Sequence, residues 1–390
     1  MILKGRNILI GVTGSIAAYK ACELVRQIQK KGAKVRACMT PSATEFIGSL
    51  TFKALTGEEV LIDWKDGKTG LEHIFWARWA DSLVIAPATA NTISKVRAGI
   101  TDSFLTSVAL AYDKSIVFAP AMNTQMYKSN QTQENISTLK KWGHLFVEPS
   151  EGELACGEEG EGKLADVEDI ETVVLRSILP DYLKGKKVLI TAGGTREYFD
   201  PIRYISNASS GQMGYAIAKI AYAFGADVTL ISAPTCLKKP YGIEVINVIS
   251  AEDMYREVVS RAGKTDVIIM NAAVADFRPE SFSREKLKKS REKTVIHLKP
   301  NPDILKKLGE IKKEGQILIG FAAESTDIIE NAKEKLFRKN LDYIIANKLD
   351  VFSKDIHRGW IIDREGDITE IPKMDKESSA FFILEKIFKR

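Results

Sequence analysis

One pattern occurs twice in this chain and constrains its fold more than any other feature. A short apolar run carries a glycine-bearing loop at its end and leads on to a helix-like segment. The first copy is NILIGVTGS (7–15), followed by AAYKACELVRQIQKKG; the second is KVLITAGGT (187–195), with YAIAKIAYAFGA further on. A continuous apolar run marks a strand buried on both faces, which calls for a parallel sheet covered by helices. The chain has 390 residues, more than one hydrophobic core organises, so each copy opens its own domain.

Further buried strands are expected at KVRACMT (34–40), SLVIAPA (82–88), SIVFAPA (115–121), DVTLISAP (227–234) and DVIIMNAA (266–273). The segment EPSEGELACGEEGEGKLAD (148–166) is rich in glycine and glutamate and reads as an aperiodic loop. A helix follows at VEDIETVVLRSIL, then the turn-rich PDYLKGKK. The expected fold class is therefore α/β, with two doubly wound parallel-sheet domains over 1–180 and 186–390. Ligands in such sheets sit at the carboxyl ends of the strands. The stretches to watch are 13–15, 40, 87–92 and 120–126, then 192–196, 205–214 and 271–278.

Composition narrows the partners. At 45% hydrophobic and 27% charged residues the chain reads as soluble and globular. A formal charge of +5 suits phosphorylated small molecules and is too weak to imply nucleic acid. The cysteines, Cys22, Cys38, Cys156 and Cys236, form no zinc-type cluster, and their sparse spacing suits a reducing compartment. No signal peptide or membrane span is read, so the expected location is the cytoplasm.

Taken singly, the motifs have ordinary readings beside functional ones. GVTGS (11–15) is either a tight turn or a loop whose amides approach a phosphate. APATANT (86–92) reads first as a capped turn. APAMNTQM (119–126) sets an Asn and two Met where they could meet a flat ring and a carboxylate, or simply cap and pack a helix. His73, between Leu71 and Ile74, reads more readily as a packed histidine than as a reactive one. Cys156 stands in a loop, where a cysteine is a better candidate for chemistry than in a core. The most informative stretch is TAGGTREYFDPIRYISNASSGQMG (191–214), whose amides could wrap phosphates while its arginines neutralise them. REKLKKSREK (284–293) is either a solvated charged face or a clamp for a triphosphate.

In order along the chain these motifs become specific. GVTGSIAAYK, His73–Ile74, APATANT, PAMNTQM and ACGEEGEGKLAD resemble the homo-oligomeric flavin-containing cysteine decarboxylases. TAGGTRE, PIRYISNASSGQMG, AAVADF (272–277), EKLKK, NPDIL (301–305) and GFAAE (320–324) resemble phosphopantothenate–cysteine ligases. Together they resemble the fused, bacterial-type decarboxylase–ligase of coenzyme A biosynthesis over essentially the whole chain. The resemblance implies a flavodoxin-like flavin domain followed by a Rossmann-like ligase domain.

It also implies residue roles. Gly14, Ser15, Thr40, Thr89, Ala90, Asn91, Thr92 and Ala121 fall where the family binds FMN. His73 matches its active-site histidine, Asn123 and Met126 its substrate-carboxylate residues, and Cys156 the proton donor on a covering flap. In the second half, Asn207 matches a residue needed to turn over an acyl-nucleotide, and Lys286 one needed to form it. Arg203, Met270, Asn271, Ala272, Asp276, Pro302, Asp303, Ile304, Leu305, Phe321, Lys335 and Lys339 fall at the substrate and nucleotide contacts. The implied partners are 4′-phosphopantothenate, cysteine, Mg²⁺ and, for the bacterial type, CTP. The implied assembly is a homo-oligomer with trimeric flavin domains and dimeric ligase domains, up to a dodecamer. No metal ligands are assigned. The family often has Lys where this chain has Gln212, which leaves one fewer cation near the expected phosphate site and no assigned role for that position. A nicotinamide-dependent oxidoreductase would want GxGxxG with an acidic residue about 20 positions on, and neither half has it.

Overall fold

The computed structural model describes residues 1–153, 157–288, 295–324, 327–348 and 356–389. It divides into two compact units, Met1–Leu179 and Pro180–Arg390.

In the first unit, five parallel strands follow the order Lys34–Met39, Asn7–Val12, Ser82–Ala88, Ile116–Pro120, Leu145–Phe146. Every residue of Ser82–Ala88 is buried, which is why it reads as unbroken apolar sequence. Helix Lys20–Lys30 turns Ala21, Leu24, Val25 and Ile28 inward at helical spacing, so one stripe covers the sheet. Leu9, Ile85, Phe104 and Phe118 lie in one core cluster, and Phe118 stacks on Phe146 with ring centroids 4.8 Å apart.

The segment expected to be an aperiodic loop is instead a two-stranded antiparallel hairpin, Ser150–Glu153 with Glu159–Lys163. Its glycines alternate with glutamates, and the glycine positions let it lie close on neighbouring main chain. The Met122 N–H donates to the Gly162 carbonyl at 3.0 Å. A Cβ on Gly160 would come within 2.5 Å of Thr124 Oγ1.

The second unit holds an eight-stranded sheet in the order Glu244–Asn247, Asp227–Ser232, Lys187–Ala192, Val267–Met270, Ile317–Glu324, Tyr343–Lys348, Ile356–Asp363, Ile368–Asp375. The expected parallel sheet carries an antiparallel addition at one edge, where Ile356–Asp363 pairs antiparallel with both of its neighbours. The first six strands are parallel and have the doubly wound order. The long loop after Lys187–Ala192 contains a second short hairpin, Arg196–Tyr198 with Tyr204–Ser206. Helix Gln212–Ala223 then packs so tightly on its strand that a Cβ on Gly214 would lie 2.6 Å from the Ala192 Cβ. Among the described residues, no helix is long and apolar enough to cross a membrane.

Candidate active sites

In the first sheet, strand order reverses between Asn7–Val12 and Ser82–Ala88, so the loops leaving those strands diverge and open a crevice at their carboxyl ends. The buried Thr13 hydroxyl ties the two loops together. It donates to the Pro87 carbonyl at 2.7 Å and accepts from the Thr89 amide at 3.1 Å. A cavity of about 590 Å³ opens here, and its lining includes Gly14, Ser15, Thr89, Ala90, Asn91, Ala121, Asn123 and Met126. At Gly14 a side chain has no room, because its Cβ would stand 2.6 Å from Ser42 Oγ. The main chain can therefore approach a bound group closely, beside hydroxyls from Ser15, Ser42 and Thr89.

Asn123 caps the short helix Thr124–Lys128, its Oδ1 accepting from Gln125 N at 2.8 Å. Its Nδ2 donates at 3.0 Å to the carboxylate of Glu158, in the turn of the hairpin. The amide at the cavity edge is thus already bonded to a carboxylate. Glu153, Gly162 and Lys163 bring the hairpin into the cavity wall.

Thr40 and Thr92 do not line this cavity; they support residues that do. Thr40 Oγ1 lies 3.1 Å from Ser42 Oγ, and the Thr92 amide donates to Thr89 Oγ1 at 3.4 Å. His73 is not in the lining either. It sits on Glu72–Trp79 with its ring edge-on to Trp64, centroids 4.8 Å apart, and its Nδ1 has no partner among the described residues. Cys156 lies outside the described residues. Cys38 is chemically quiet, since burial pushes its thiol up to about 12. Sequence reading missed Tyr19, Ser42 and Lys163. Ser42 lies two residues past the flagged strand end at Thr40, while Tyr19 and Lys163 lie inside the motifs GVTGSIAAYK and ACGEEGEGKLAD without being singled out.

The second sheet repeats the arrangement. Order reverses between Lys187–Ala192 and Val267–Met270, and a cavity of about 600 Å³ lies over the loops that follow them. Buried Thr191 is the tie here, its Oγ1 accepting from the amides of Asn271 at 3.1 Å and Ala272 at 3.0 Å. Asn207, Asn271, Ala272, Asp276, Phe321 and Lys335 line the cavity. The Asn207 side-chain amide donates to the carbonyls of Ala273 at 3.3 Å and Val274 at 3.2 Å, joining the two loops across the cavity edge.

The other expected residues of this unit lie outside that lining. Met270 is buried in the core beneath. Asp303 caps Ile304–Ile311 and pairs with Lys339 at 3.0 Å. Burial alone would raise the Asp303 carboxyl, but the Lys306 amide and the Lys339 ammonium outweigh it and hold it below the usual range. Pro302 and Leu305 flank this cap. Arg203 is committed to buried Asp200, 2.5 Å away, and also donates to the Leu287 carbonyl at 2.6 Å. Exposed Lys286 therefore rides on a segment clamped by Asp200 and Arg203. Residues 289–293 of the basic run lie outside the described residues.

Sequence reading missed His357 and Lys376, which line the same cavity beside Gln212. Lys376 Nζ donates to Gln212 Oε1 at 2.8 Å. No local sequence signal marks either residue. Among the described residues, no group of three or more His, Cys, Asp or Glu side chains is placed to hold a metal ion.

A glycine-bearing loop and a cavity stand at the switch point of each of two α/β units, the place where sheets of this class take their ligands. Residues 2–179 match the family described as Flavoprotein, and residues 183–390 the DNA/pantothenate metabolism flavoprotein C-terminal domain. The chain is 41% identical to the coenzyme A biosynthesis bifunctional protein CoaBC of Borreliella burgdorferi, over 99% of this chain and 100% of that one. It is 44% identical to the CoaBC of Bacillus subtilis over 99% and 97% of the two chains, and 38% identical to that of Mycobacterium bovis over 98% and 96%. The chain belongs to the family of coenzyme A biosynthesis bifunctional proteins.

Proposed function

We propose that the second unit joins cysteine to 4′-phosphopantothenate through an acyl-nucleotide made from CTP with Mg²⁺, and that the first unit decarboxylates the product to 4′-phosphopantetheine with FMN. The observation that carries this reading is the pair of switch-point cavities, one in each unit, each with its own glycine loop and its own buried threonine tie. Two separate sites are what two unlike reactions need.

In the second unit a carboxylate must be activated before an amine can displace its oxygen. Hydroxyls and amides of Ser209, Ser210 and Gly211 suit the nucleotide phosphates, and Lys335 and the Lys286 segment supply positive charge for the developing pyrophosphate. Asn207, at the edge of the same cavity, is the residue assigned to turnover of the acyl-nucleotide.

In the first unit the lining fits FMN. The Gly14 loop and the hydroxyls of Ser15, Ser42 and Thr89 suit its phosphate, and Met122, Met126 and Tyr19 offer apolar walls to its ring. FMN held by these residues would supply the electron sink that a cysteinyl carboxylate lacks and the reducing equivalents for the later reduction. Asn123 holds the substrate carboxylate in place of Glu158, and Cys156 gives the final proton. Ile16 and Tyr19 are 60% and 56% exposed at the cavity wall, which supports a second copy of the chain covering that side. His73 then acts from the neighbouring copy, in keeping with trimeric flavin units. Free Cys22, Cys38 and Cys236 agree with work in the cytoplasm.

The test is mass spectrometry of the products formed from 4′-phosphopantothenate, cysteine and either CTP or ATP. 4′-Phosphopantetheine with CMP and pyrophosphate is expected. Absence of any ligated product with both nucleotides would overturn the ligase reading. Ligation without loss of CO₂ would overturn the decarboxylase reading.

A further inference from the structure

His357 is 5% exposed, and neither ring nitrogen has a hydrogen-bond partner among the described residues. An imidazole buried without partners loses the hydrogen bonds that water would give it, which destabilises the fold unless something else supplies them. Such a group asks for an explanation. His357 lies on Ile356–Asp363, the strand whose pairing with Ile368–Asp375 shifts register between His357 and Gly359. It lines the second-unit cavity, facing the same space as Lys376 and Gln212.

Two other features meet it there. Helix Gln212–Ala223 starts at this cavity with Gly211 as its N-cap, at φ +76°; the cap residue has no side chain, and the first amide, Gln212 N, makes only a long 3.5 Å bond to Ser210 Oγ. Its leading amides and the positive end of its dipole face the opening. Lys376, the first residue of the C-terminal helix Lys376–Phe388, is held over that turn by its bond to Gln212 Oε1. Burial, and then the Lys376 charge, hold the His357 ring down to about 4. At neutral pH it is therefore an uncharged ring, with one N–H to donate and one nitrogen to accept.

We infer that His357, Lys376 and the first turn of Gln212–Ala223 together form a binding site for a phosphoryl group of the ligase reaction. The three parts are an ammonium, a neutral N–H donor and a helix start whose cap residue is glycine, a set that suits phosphate oxygens and no cation. Gln212 becomes the arm that positions Lys376, so the cation missing at position 212 is supplied from the far end of the chain. The site deepens the ligase reading and rests on it. The phosphoryl group has two possible sources, the pyrophosphate portion of the nucleotide and the phosphomonoester of 4′-phosphopantothenate.

The experiment uses the full-length protein and two variants, Lys376→Gln and His357→Gln, with inorganic pyrophosphate and 4′-phosphopantothenate as separate calorimetric ligands. Binding of one ligand is expected to weaken about tenfold or more in Lys376→Gln and severalfold in His357→Gln, and Lys376→Arg is expected to recover most of it. In ligation assays the KM of the matching substrate rises: that of CTP if pyrophosphate was the ligand affected, that of 4′-phosphopantothenate otherwise. Since His357 is buried, Lys376→Gln at the helix start keeps the test open if His357→Gln fails to fold. Unchanged affinities for both ligands and unchanged KM values in a folded Lys376→Gln protein would overturn the inference. A wild-type protein that makes no ligated product would instead sink the ligase reading, and the pyrophosphate titration would still decide whether the anion site exists.

Discussion

Replacing Gly162 with alanine tests whether the hairpin strands Ser150–Glu153 and Glu159–Lys163 cover the first-unit cavity during the proposed decarboxylation. Gly162 has φ +137°, a conformation that side chains rarely adopt, and a Cβ there would collide with the Met122 carbonyl oxygen. The obstacle is main chain, so no side-chain rotation relieves it. Backbone strain of this kind costs about 1–3 kcal/mol. Losing the bond from Met122 N–H to the Gly162 carbonyl, 3.0 Å in the native protein, costs about 1 kcal/mol more. A two-stranded hairpin is marginal on its own, so these contacts decide whether it stays docked. A loss of about 3 kcal/mol shifts the docked-to-open ratio roughly 150-fold. Decarboxylation of phosphopantothenoylcysteine by Gly162→Ala is therefore expected to fall by about two orders of magnitude in kcat/KM, while ligation keeps its rate. Limited proteolysis should cut within 150–163 first. Gly48→Ala is the control, because Gly48 has φ −67° and open space around its Cβ position. A Gly162→Ala protein that decarboxylates at the wild-type rate, with a hairpin no more sensitive to protease, would refute the reasoning.

Thr13→Val keeps the volume of the buried tie but strands the Thr89 amide and removes a donor to the Pro87 carbonyl; a stability loss of about 1–3 kcal/mol in the first unit and weaker flavin retention are expected, read by denaturant titration and visible absorbance. Thr191→Val should do the same to the second unit and to ligation alone. For Asp200, burial alone would raise its carboxyl, but Arg203 and the amides of Ile202, Arg203 and Leu287 outweigh it and depress it strongly. A depressed pKa gives stability that is present above the unfolded value and lost as pH falls toward the folded one, so the loss should begin below about pH 4. Asp200→Asn should flatten that acid limb in calorimetry, and at neutral pH it should slow acyl-nucleotide formation by loosening the segment that carries Lys286. Cys156→Ser should still release CO₂ yet accumulate a product two hydrogens lighter than 4′-phosphopantetheine, because a hydroxyl is a far weaker acid than a thiol; wild-type amounts of the fully reduced product would remove Cys156 as proton donor.

What the sequence made legible, and what it hid, follows from where the energy of each element lies. Ser82–Ala88 was readable to the residue because all seven of its positions are buried, so hydropathy alone carries the signal. The switch-point loops were readable for a related reason: a buried strand must end, and in this architecture it ends at a ligand. The hairpin 150–163 was not readable, because its alternation is of glutamate with glycine, and glycine adds no hydropathy. Its conformation is set by Met122 and Thr124, which are distant in sequence. The hairpin 196–206 was hidden for another reason: its strands are only three residues each within a long loop, where Ser206 Oγ reaches back to the Thr195 carbonyl at 2.7 Å. His357 and Lys376 reach their cavity only through the antiparallel edge of the second sheet, a long-range pairing that no local pattern announces. The hidden parts line the two cavities: Glu153, Gly162 and Lys163 the first, His357 and Lys376 the second. Segments held mainly by partners distant in sequence are only weakly specified by their own local sequence. At such places a reading by local propensity fails for a physical reason, and each failure marks a residue whose stabilising partner lies elsewhere in the fold or in the ligand.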